Sequence, residues 1–107
     1  MTFYIKQNDT GPAMLATLQD ASGNAINLVG ASVRFHMRSV MGGNPVVDAA
    51  ATVVTAASGI VRYNWLSADT NTIGSYQAEF EVTYADASVE TFPNDSYIAV
   101  EIIDDIA

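Results

Sequence analysis

The chain is predicted to be all-β, an antiparallel sandwich of seven or eight strands. Apolar and polar residues alternate with period two along almost every segment, and turn residues interrupt them at short intervals. No segment carries a convincing long helical pattern. At 107 residues the chain is expected to form one domain, spanning 1–107, large enough to bury a core without a metal or disulfide.

Thr2 to Lys6 reads as a first strand with Phe3 and Ile5 on one face, broken by Asn8-Asp9-Thr10-Gly11-Pro12. Ala13 to Gln19 is a second strand, followed by the turn Asp20-Ala21-Ser22-Gly23-Asn24. Gly30 marks a bend before Ala31 to Ser39, where Val33, Phe35 and Met37 point one way and Arg34, His36 and Arg38 the other. Met41-Gly42-Gly43-Asn44-Pro45 ends that strand. Val46 to Thr55 contains an Ala run that permits a helix. The β-branched residues on both sides of the run, and the surrounding period of two, assign it to a single strand.

Ile60 to Trp65 places Val61, Tyr63 and Trp65 on one face, and Ser67 to Thr72 forms a polar corner. From Tyr76 to Tyr84 the alternation is strongest, with Gln77, Glu79 and Glu81 outward. A hairpin at Ala85-Asp86-Ala87-Ser88 leads to Val89–Phe92, and Pro93-Asn94-Asp95 turns into Tyr97 to Ile103. The expected core is Phe35, Met37, Val61, Tyr63, Trp65, Tyr76, Phe80, Val82, Ile98 and Val100.

Gly74-Ser75-Tyr76, entering that strongest strand after the polar corner, has the form of a tyrosine corner, in which a buried Tyr bonds back to the backbone of the crossing loop. This motif makes the sandwich immunoglobulin-like. Ala78 stands where antibody domains carry a cysteine, and the chain has no cysteine, so no disulfide forms. The basic row Arg34-His36-Arg38 and the acidic row Gln77-Glu79-Glu81 are expected to face each other across one sheet.

Twelve acids against four Lys and Arg give a net charge of −8. That balance argues against nucleic acid and against anionic membrane surfaces, which both need clustered cations. Only 15% of residues are charged while half are hydrophobic, and mean hydropathy is +0.18. A surface built from small polar residues, partly covered by a partner, accounts for this. The N-terminus lacks the pattern of a signal peptide, which implies synthesis in a cytoplasm.

The residues offer no catalytic or metal site. His36 is the only histidine and reads as an outward strand residue without a second ligand. Asp69-Thr70-Asn71-Thr72 lacks the oxygen density of a calcium loop, and the other turn acids fit turn chemistry. The expectation is a protein that is not an enzyme and takes no cofactor or metal.

Several ordered segments resemble the N-terminal domain of the baseplate upper proteins of tailed bacteriophages. They are Ile5-Lys6-Gln7-Asn8-Asp9-Thr10 with Gly11-Pro12, the run Asn27 to Met37, Ser58-Gly59-Ile60-Val61-Arg62-Tyr63-Asn64-Trp65, Gly74 to Val82, Thr91-Phe92-Pro93-Asn94, and Ile98-Ala99-Val100-Glu101-Ile102. The resemblance implies a structural virion protein: a small docking, adaptor or decoration subunit of the baseplate, tail, neck or head. It implies other virion proteins as partners, a homo-oligomer or several copies per particle, and no catalytic residues. Family members continue into helical or receptor-binding parts, whereas this chain ends at Ala107, which leaves the docking role.

The expected contact residues are Phe3 and Tyr4 on the first strand, the loop Gly42-Gly43-Asn44-Pro45, and Ile102, Ile103 and Ile106 in the tail. The alternative is a free-standing carbohydrate-binding module for host-surface attachment. It expects a ring-lined groove with Tyr4 or Tyr97 exposed and a few convergent polar groups.

Overall fold

The computed structural model describes residues 2–106. Nine strands form two sheets: β1 (Thr2–Lys6), β2 (Met14–Thr17), β3 (Ser32–Ser39), β4 (Val47–Ala50), β5 (Thr52–Thr55), β6 (Ile60–Tyr63), β7 (Gly74–Thr83), β8 (Val89–Phe92) and β9 (Ile98–Ile103). The large sheet runs β1-β9-β7-β3-β4, with β8 also on β7, and packs against the small sheet β2-β6-β5. This is the expected all-β, immunoglobulin-like sandwich.

Three details differ from the expectation. First, β8 and β9 lie along the same side of β7, β8 pairing with 80–83 and β9 with 74–78. They are two halves of one strand interrupted at 93–97, and counted as one they give eight strands. Second, the expected strand from Val46 to Thr55 is two strands in opposite sheets. β4 pairs with β3 and β5 with β6, and the chain crosses at Ala51, whose N–H donates to the Val33 carbonyl (2.9 Å). Third, β1 runs parallel to β9, with Phe3 opposite Val100, so the sheets are not wholly antiparallel.

Core packing follows the alternation. Nine of the ten expected core residues are buried; Ile98 is half-buried and packs against the cluster. Ile5, Met14, Leu18, Leu28, Val33, Val47, Ala78, Phe92 and Ile102 join them. At the centre the Phe35 ring stacks on Tyr63 (centroids 4.4 Å apart), meets Trp65 edge-on (5.5 Å) and lies 5.1 Å from Phe80. This aromatic cluster bridges the two sheets without a disulfide, Phe35 and Phe80 coming from the large sheet and Tyr63 from the small one.

The tyrosine corner is present. Tyr76 is buried on β7, and its hydroxyl donates to the Thr72 carbonyl at 2.7 Å. Gly74, with φ +152°, opens the strand in a conformation that side chains rarely adopt. Tyr76→Phe keeps the ring and removes this bond, so it should cost about 1 kcal/mol, or about 4–8 °C in Tm. An unchanged melting temperature would show that the corner bond contributes nothing.

Two further tyrosines donate to carboxylates: Tyr63 to Asp69 (2.6 Å) and Tyr84 to Glu90 (2.7 Å). Asp69 also accepts the Leu66 N–H (2.9 Å) in the 3-10 turn Ser67–Thr70, so this turn acid closes the corner and holds a core ring. Burial, then the adjacent carboxylate, raises both phenols above their usual 10.0, Tyr84 to about 12, and burial raises Tyr76. A raised folded-state value means that the unfolded chain releases these protons first. The stability they contribute is present below pH 10 and falls as pH rises toward 12. Tm measured from pH 8 to 11 should decline steeply above about 10, less so in Tyr84→Phe. Identical slopes for the two proteins would rule out Tyr84 as a source.

Candidate docking surfaces

The outward face of the large sheet carries the two charged rows in the expected register: Arg34 opposite Glu81, His36 opposite Glu79 and Arg38 opposite Gln77. The contacts across them are more selective than the register suggests. Arg34 turns to the neighbouring strand, where Nε reaches Asp48 Oδ1 (2.9 Å) and Nη2 the Asp48 carbonyl (2.9 Å). His36 sits between two carboxylates, with Nε2 3.2 Å from Asp48 and Nδ1 3.4 Å from Glu79. The Arg34 hydrogen bond holds the Asp48 carboxyl below its ordinary range.

Asp48 therefore ties edge strand β4 to β3. Sequence reasoning missed it because Asp48 lay in an Ala-rich segment with no assigned partner strand. This exposed network stabilises little and is screened by salt.

Among the described residues Arg38 takes no carboxylate, and its guanidinium lies 5.9 Å from the Tyr97 ring centre. Tyr97 comes from the interruption between β8 and β9 and closes one side of a groove of about 330 Å3. His36, Arg38, Asp48, Gln77 and Glu79 line it with Gly43 and Pro45 of the β3–β4 loop. Among the described residues no group of three or more His, Cys, Asp or Glu is arranged to hold a metal ion, and no helix is long and apolar enough to cross a membrane.

A second surface is an end of the sandwich. Ser39 lies opposite Tyr76, Gly74 opposite Ile102 and Lys6 opposite Ile103, so one end gathers loops 7–13, 40–46 and 64–73 with the tail 104–106. The molecule measures 45 × 25 × 23 Å. Val40, Met41, Val46, Leu66, Ile73, Ile103 and Ile106 are all exposed there, seven of the thirteen large apolar side chains exposed among the described residues. The opposite end carries Val29 and Val89. Apolar exposure is thus concentrated where partner contact would remove it from water.

The expected contact residues fall into different settings. Gly42, Gly43, Asn44, Pro45, Ile103 and Ile106 are at the apolar end, with Ile106 98% exposed. Ile102 is 3% exposed and belongs to the core, because it shares the inward phase of β9 with Val100. Phe3 is half-buried, its ring 5.7 Å from that of Trp65. Tyr4 is 62% exposed on the outer face of edge strand β1. Val40, Met41, Val46, Leu66 and Ile73 were not anticipated. They lie in loops, where periodicity assigns no face.

A family model for the BppU N-terminal domain matches residues 2–103. The chain belongs to this family. Membership places it among the baseplate-associated structural proteins of bacteriophages, components of the virion that associate with other virion proteins. No curated protein matches the chain. Among solved structures, the crystal structure of CopC from Methylosinus trichosporium OB3b is similar over 99% of this chain and 87% of that one, with a TM-score of 0.57 and 11% identity. Likeness at that identity shows the sandwich fold alone.

Proposed function

We propose that this family member is a docking or adaptor subunit that attaches to other virion proteins through the apolar end of its sandwich. Seven exposed apolar side chains gathered at one end of a chain with few charges carry this reading. In this reading the chain acts without catalysis or cofactor, is made in the host cytoplasm, is present in several copies, and has neither nucleic acid nor membrane as partner. The net charge of −8 supports the last point. The loop Gly42 to Pro45 and the residues Ile103 and Ile106 supply contacts at this end, and Tyr4 supplies one on the β1 edge.

The test is a double substitution, Met41→Lys with Ile73→Lys. Both side chains are exposed, so the melting temperature should stay within about 2 °C of the parent. Incorporation into purified particles, quantified by mass spectrometry, should fall at least about tenfold. Parental incorporation would rule out docking through this end.

The groove beside Tyr97 favours a second reading, a carbohydrate site, because one exposed ring there meets several polar groups. A glycan array separates the two. Binding abolished by Tyr97→Ala, in a chain absent from purified particles, would replace the docking reading.

A further inference from the structure

The sandwich is open along one side. Among the described residues, β2 pairs only with β6, and β8 only with β7. β1 does not close this side, because its described part begins alongside Ala99 and flanks β9 rather than β8. Between the free edge of β2 and the interruption that joins β8 to β9 runs a groove of about 430 Å3, bounded along one bank by every residue from Leu15 to Asp20. Phe92, Pro93, Ser96, Tyr97 and Ile98 form the other bank.

The hydrogen-bonding pattern of β2 gives this groove a chemical preference. Leu18 N–H donates to the Gly59 carbonyl on the β6 side. Alternation along an antiparallel ladder then turns the N–H and C=O of Leu15 and Thr17 away from β6, toward the groove. Leu15 is 58% exposed on this edge, which lacks the Lys, Pro or bulge by which edge strands usually avoid pairing. No Lys or Arg lines the groove, Asp20 does, and the chain is strongly acidic.

We infer that this groove accepts an extended segment of another protein, added as a fourth strand beside β2. The backbone of the segment pairs with Leu15 and Thr17. Its alternate apolar side chains pack toward Phe92 and Ile98, and it carries at least one Lys or Arg to meet Asp20. Main-chain hydrogen bonds give such strand addition its affinity, and alternating side chains give it selectivity. The site is separate from the apolar end. It rests on the docking reading only for the origin of the strand, so the experiment uses a synthetic probe and stands whether or not that reading fails.

The probe is an acetylated hexapeptide of alternating Val and Thr between two terminal Lys residues, about 20 Å long when extended. It is titrated into the full chain up to about 10 mM, with amide exchange followed by NMR. The expected result is slowing by about tenfold at Leu15 and Thr17. The same peptide N-methylated at every amide should produce no slowing, and replacement of both Lys by Glu should weaken binding severalfold. Leu15→Pro should abolish the response, since that N–H has no partner inside the fold. Should this variant fail to fold, the N-methylated peptide supplies the same control. Unchanged exchange at both amides overturns the inference, as does an equal response to the N-methylated peptide. Concentration-dependent protection without peptide would assign the groove to a second copy of the chain and also overturn it.

Discussion

Phe35→Ala is expected to remove about 3–5 kcal/mol of stability. A domain of this size has about 5–15 kcal/mol in total, so the variant should lose a large share of its stability. The cause is specific. Phe35 is fully buried and is the one ring in contact with Tyr63, Trp65 and Phe80 together. Truncation leaves a cavity between the sheets that neither backbone can close, because both are fixed by their ladders. Thermal unfolding followed by circular dichroism should show Tm falling by at least about 15 °C. Phe35→Leu, which keeps most of the volume, should fall much less. A drop under about 5 °C for the Ala variant would mean that the inter-sheet cluster does not hold the sandwich together.

Gly59→Ala should be nearly as damaging, on the order of 2–4 kcal/mol, although it adds only a methyl group. Gly59 ends the 3-10 turn Ala56–Ser58 at φ +66°, in the left-handed region. A Cβ there would lie 2.7 Å from the Ile26 carbonyl oxygen and 2.8 Å from that of Leu18. Both are backbone atoms and cannot swing aside. The Gly59 carbonyl also accepts the Leu18 N–H, so displacement would break the join between β2 and β6. Gly23→Ala is the control: φ is +83° but nothing lies within 4 Å, so only the conformational cost of about 1 kcal/mol applies. Urea midpoints compare the two, and equal losses would show that crowding at Gly59 has no part.

The sequence by itself determined which face of each strand is buried. Period two assigns every residue of a strand to one side or the other, and nine of ten expected core residues followed it. It also determined the tyrosine corner, since Gly74 and Tyr76 are a local pattern with a local hydrogen bond. The opposition of the two charged rows was legible for the same reason, once β3 and β7 were taken as neighbours.

Tertiary structure alone decided the rest, and the physical reason is the same in each case. Val47, Ala49, Ala51 and Val53 face the core whether the chain stays in one sheet or crosses to the other, so alternation carries no trace of the switch at Ala51. An inward Phe3 and Ile5 look the same beside a parallel or an antiparallel β9. Asp48 became a partner of Arg34 and His36 only when β4 was placed beside β3. The apolar end and the open groove depend on which loops and edges meet in space. Periodicity reports a residue's side of its own strand and contains no term for the neighbour on the other side of a sheet edge.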